Sequence, residues 1–274
     1  MSVSARLRNL IEAASPYWAG EAEVFTTYWN WDKRSCLSDR QWLAYQCSKE
    51  VWGSGLGSLD KGIFLGPAEE LIAVFPRIDS GRENGVDRHK VLEIAEGLWA
   101  EFAHYCAFAD AHDALGQPGE AKLSPVSVKL AWKEDLELSE LRLKHRAENP
   151  RLGQRATSFT EGGYCTLFSE GMKLVNQTTG PHARANALIA AACAKVYDDE
   201  FGHMLKGIVG LDRETMTDAD WELLEDMSIA QLKLRIRMRN SQFGYPLAEK
   251  RLAELMSGKA HPLAFDYDKA RLAA

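Results

Sequence analysis

Apolar positions recur every three to four residues along nearly the whole chain, and no stretch alternates with the period of two that marks a half-buried strand. Ser2 to Ala14 reads as an amphipathic helix. Ser38-Asp39-Arg40-Gln41 has the form of a helix start, with Ser38 as N-cap and Gln41 closing a capping box. That helix runs toward Trp52 and meets a break at Gly53-Ser54-Gly55-Leu56-Gly57. Pro67, after Gly66, opens a further helical stretch that Pro76 closes, and Ile78 to Val86 is a polar loop.

The pattern next predicts a helix from about Asp87 to Ala114, stopped near Gly116. A charged amphipathic segment from Ser124 to Glu148 follows, interrupted by Asn149-Pro150. A helix is expected over Thr157 to Asn176. Thr179-Gly180-Pro181 turns the chain into a long helix reaching about Gly210, and Asp218 to Asn240 is again helical with charges of both signs on its outer face. There is no fixed repeat and no linker that would divide domains. The expectation is one all-α domain over residues 1–274.

Composition narrows the function classes. Of 274 residues, 46% are apolar and 26% charged, enough to bury a sizeable core. A formal net charge of -6 offers no basic face for nucleic acid. The longest apolar run, Ala187 to Ala194, falls far short of the roughly 18–20 residues a membrane span requires. With no apolar leader at the N-terminus, a cytoplasmic protein is expected. Five cysteines without CxxC spacing indicate neither a disulfide framework nor a zinc ribbon.

The chemistry lies in two repeats of Glu-Phe-x-His, Glu101-Phe102-Ala103-His104 and Glu200-Phe201-Gly202-His203. Residues i and i+3 share a helix face, so each motif can aim a carboxylate and an imidazole at one point. Chance alone supplies about half an ExxH match in a chain of ordinary composition, so placement carries the argument. Glu101 shares its face with Ile94, Leu98, Tyr105 and Phe108. Glu200 shares its face with Ile189, Cys193, Val196 and Met204. Charges on apolar stripes call for a partner or a metal.

Glu161 also sits within an apolar stripe, with Tyr164, Cys165, Phe168 and Met172. The turn near Gly180 brings it level with Glu200. Gly162 and Gly163 follow it at a cost of about 1 kcal/mol each relative to alanine, which room for dioxygen or substrate, or a π-bulge, would explain. A fourth carboxylate is offered by Glu69 or Glu70, with Glu69 nearer the apolar face of its segment. Cys165 and Tyr164 are candidates for the substrate pocket, and Asp198 and Asp199 for orienting a ligand histidine. The remaining histidines, His89, His112, His145, His182 and His261, stand among polar residues. The basic run Lys233 to Arg239 reads as a solvated helix face, with attraction of a carboxylate as the alternative.

The set Glu69 (or Glu70), Glu101 and His104, Glu161, Glu200 and His203 resembles the ferritin-like dinuclear-iron carboxylate proteins, in which Glu, Glu-x-x-His, Glu and Glu-x-x-His lie on four antiparallel helices. The resemblance covers about residues 67–210 and implies a ferritin-like four-helix core with extra N- and C-terminal helices. A second resemblance is to the haem-oxygenase-like di-iron oxidases, through the Leu37-Ser38-x-Arg40 segment near Tyr45, Glu101-x-x-His104-x-x-x-Phe108 and Glu161-Gly162-Gly163. That family's extra histidine is replaced here by Val196.

Both resemblances imply two Fe ions, or a Mn/Fe pair, with dioxygen as co-substrate and oxidation of a small organic molecule by hydroxylation, N-oxygenation, desaturation or oxidative C–C cleavage. They also imply an electron-donor protein or reductant and are compatible with a homodimer. Two other classes compete. One is ferritin-like iron oxidation and storage. The other is a non-enzymatic helical interaction protein whose Glu-His pairs are only core hydrogen bonds.

Overall fold

The computed structural model describes residues 3–53, 62–81, 83–130, 132–160 and 162–266, without the side chains of 63, 162–165, 203, 204 and 206. The regular elements among the described residues are all helices, with a lone bridge between Ile78 and Val86 closing the loop expected there.

The first helix, α1 (Ala5–Trp29), is capped by Ser4, whose hydroxyl accepts from the Leu7 amide. It continues well past Ala14, through Pro16. Proline inside a helix costs about 3 kcal/mol. Burial of Ile11, Trp18, Phe25 and Tyr28 on either side, at about 1.5–3 kcal/mol each, outweighs that loss. The second helix, α2 (Cys36–Trp52), has its cap three residues before the expected one. Ser35 is the N-cap, and Ser38 instead returns its hydroxyl to the Ser35 amide at 2.9 Å. Helix α3 (Gly62–Val74) contains Pro67 rather than starting at it.

Helix α4 (Arg88–Ala114) begins where the pattern placed it, with Asp87 accepting from the His89 amide. Helices α5 (Lys133–Glu148) and α6 (Pro150–Thr160) meet at Asn149, whose side chain caps α6 through the Leu152 amide. After them come α7 (Gly162–Met172), α8 (Ala183–Val209), α9 (Asp218–Gln242) and α10 (Glu249–Met256).

Helix α4 packs on α2 on one side and on α8 on the other, and α8 packs on α7. A methyl group on Gly171 of α7 would collide with Cys193 Sγ of α8, so glycine sets the close approach of these two helices. Helices α1 and α9 pack together as a further layer, with α10 on α9. One core cluster, around Trp42, Phe108, Phe168 and Phe243, joins these layers. A second, around Leu10, Trp18, Phe159 and Ile208, fills the other end. Helix α3 lies outside, against α4 and α2, and Ile72 and Phe75 at its end are 75% and 69% exposed. No described helix is long and apolar enough to cross a membrane.

Half of the basic run of α9 departs from the solvated face the pattern suggested, with Lys233 and Arg237 partly exposed. Arg235 and Arg239 are fully buried and both bind Glu21 of α1, at 2.9 Å and 3.0 Å. The carboxylate this run attracts is the chain's own. Two histidines expected among polar residues at the surface are buried too: His112 beside Asp113, and His145 accepting from the Gln231 amide.

Candidate metal centre

Helix α4 supplies Glu101 and His104 from a single face, the consequence of their i,i+3 spacing. His104 is buried and Glu101 half-buried. The next helix in the layer, α8, brings Asp199 and Glu200. The last turn of α2 brings Glu50, which is buried. Glu50, Glu101 and His104 each offer a ligand atom within 4.8 Å of the others, and together they can hold a metal ion.

The two imidazole nitrogens have different surroundings. Nε2 lies 2.8 Å from Asp199 Oδ2. Nδ1 faces Glu200 Oε1 at 3.3 Å and Glu50 Oε2 at 3.7 Å, is buried, and has no hydrogen-bond partner among the described residues. In the neutral ring, a proton on Nε2 serves Asp199 and leaves the Nδ1 lone pair pointing at carboxylate oxygens. Two like-signed partners become compatible when a cation, or a second proton, stands between them.

The proton affinity reports the same field. Burial pulls the His104 pKa down, but the neighbouring Glu50 carboxylate, followed by Glu200 and Glu101, outweighs it and pushes the value up to about 9. Carboxylate oxygens with one imidazole nitrogen suit a hard or borderline cation. A carboxylate on the far ring nitrogen is the usual support of a histidine ligand. The residues present therefore fit a metal.

Of the residues singled out from sequence, Glu101, His104 and Glu200 come together here. Glu69 is not among the three residues whose ligand atoms converge. It is exposed on α3, as is Glu70, because that helix is the outer layer. The carboxylate that joins Glu101 and His104 is Glu50, so the cluster reaches back before residue 67 into α2. Glu161 and the side chains of His203, Tyr164 and Cys165 lie outside the described residues, as does the space beside Gly162 and Gly163.

Asp199 lies against a histidine, His104 of α4. Glu50 was missed because Lys49-Glu50 before a glycine-rich break looks like the polar end of a helix. The signal was its face, shared with Leu43, Gln46 and Cys47, all fully buried. Compared with protein-family models, curated proteins and solved structures, the chain matches none of them.

Proposed function

We propose that the protein is a non-haem di-iron enzyme that uses dioxygen to oxidise a small organic substrate, on a ferritin-like core made by α2, α4, α7 and α8. The observation that carries this reading is the buried Nδ1 of His104, facing carboxylates while Asp199 holds Nε2. Glu50, Glu101, His104 and Glu200 are the described ligands, and Glu161 and His203 complete the set by their sequence motifs. Bound iron supplies the one- and two-electron chemistry with dioxygen that side chains lack.

This chain's own residues do the rest. The carboxylates balance the charge of two divalent ions. Asp199 fixes the ring of His104 and keeps its proton on Nε2, so that Nδ1 presents a lone pair. Val196 and Cys193 on α8 and Phe108 on α4, all fully buried, keep water from the helix faces beside the ligands. A small-molecule substrate and an external electron donor follow from this chemistry.

The test is anaerobic loading with ferrous iron followed by exposure to oxygen. About two irons per chain and a new near-ultraviolet or visible absorption on adding oxygen are expected. His104→Ala should abolish the absorption and most of the iron while the far-ultraviolet circular dichroism stays helical. Absence of iron uptake by the unaltered protein refutes the reading. Uptake of many irons per chain would point to storage instead.

A further inference from the structure

Glu50 is held from behind by a buried polar chain that crosses three helices. Its Oε1 accepts from Gln46 Nε2 at 2.6 Å. Gln46 Oε1 in turn accepts from Arg239 Nη1 at 2.9 Å and from Gln242 Nε2 at 3.1 Å. Arg239 also donates from Nη1 to Gln242 Oε1 at 2.6 Å and from Nε to Glu21 Oε1 at 3.0 Å. Glu21, Gln46, Arg239 and Gln242 are all at most 1% exposed, so water cannot substitute for any of these contacts.

The chain has a direction. Arginine carries donors only, so the oxygen of the Gln46 amide must face Arg239. The amide nitrogen is then turned to Glu50, and an ionised carboxylate only accepts. Flipping the amide would set two donors against each other at one end and two acceptors at the other. Glu21 anchors the far end by fixing the guanidinium. One oxygen of Glu50 is thereby occupied, and Oε2 is left facing His104 Nδ1 at 3.7 Å.

Resting on the metal reading above, we infer that Gln46 is a positioning residue which, locked by Arg239 and Gln242, presents Glu50 to the cation through Oε2 alone. It touches neither metal nor substrate and acts through Glu50. A partner behind a ligand of this kind is worth about 10- to 100-fold in metal affinity.

Cobalt(II) binding to the full-length, metal-stripped protein tests this, read by chelator competition and by the visible absorption envelope. Gln46→Met, similar in length but without a donor, should weaken cobalt binding by about 10- to 100-fold and change the envelope as Glu50 turns. In a Glu50→Gln background the same substitution should cause no further loss, because the route runs through Glu50. Unchanged affinity and envelope in Gln46→Met, or equal losses in both backgrounds, would overturn the inference. If Gln46→Met does not fold, Gln242→Met takes its place. It loosens Gln46 while leaving the bond to Glu50, and a several-fold loss with the same spectral change is expected, whereas parent-like binding overturns the inference. Failure of the unaltered protein to bind cobalt would instead defeat the metal reading itself.

Discussion

Asp199 Oδ2 stands 2.8 Å from His104 Nε2, joining α8 to α4 through the ring nitrogen that faces away from the carboxylate cluster. The contact is partly open to solvent on the Asp199 side, and the buried ring keeps Glu50 and Glu200 as neighbours when it is removed. Asp199→Ala should therefore keep the fold and lower metal affinity by about 10- to 100-fold. Chelator competition together with a thermal melt checks both halves. A fall in melting temperature with unchanged affinity would contradict the role assigned to Asp199.

Glu50 and Glu69 give opposite expectations. Glu50→Ala removes a buried donor from the cluster and should lose most of the metal held with His104. Glu69→Ala, outside the cluster of Glu50, Glu101 and His104, should leave metal content as it was. Metal analysis of the two purified variants decides between them.

The buried carboxylate of Glu21 predicts how stability depends on pH. Burial alone would raise its pKa, but the charges and hydrogen bonds of Arg235 and Arg239 outweigh burial and hold it below the usual carboxylate range. Its contribution is thus fully present above the unfolded value of about 4.3 and is lost as the pH falls through the lower, folded value. Glu21→Gln takes from two buried guanidinium groups the carboxylate they share. A loss of about 3–5 kcal/mol at neutral pH is expected, with a flatter decline of stability in acid than in the parent. Urea titrations at a series of pH values measure both.

Gly171 is predicted to be intolerant of a side chain. Gly171→Ala drives a methyl group into Cys193 Sγ and should destabilise by about 1–3 kcal/mol. Adding Cys193→Ala removes the sulfur and should recover part of that loss. Additive losses in the double variant, read from denaturation midpoints, would show that the two helices are kept close by something else.

Much of the helical frame was legible locally. The α4 boundaries follow from Asp87 as a cap and from the apolar stripe ending near Gly116, and α9 follows from Thr217 and Asp220 bonding reciprocally at its start. In the cluster around the His104 ring, Glu101, His104 and Glu200 were legible because a charge on an apolar stripe is a local anomaly.

What escaped was long-range. Arg235 and Arg239 look like solvated charges until Glu21, more than two hundred residues earlier, is brought against them. Glu50 looks like a helix end until α4 is laid beside it. Pro16 looks like a stop until burial on both flanks outweighs it.

The hydrogen bonds from Arg239 and Gln242 to Gln46 bear on how this chain can be cut. A fragment ending at Val209 would retain every acid and imidazole named for the metal centre. It would also lack both side chains that hold Gln46 in place. The last quarter of the chain, which holds none of those residues, thus belongs to the same minimal unit as they do. Deletions that shorten the protein from its C-terminus should therefore impair the centre once they reach α9, before they remove any ligand.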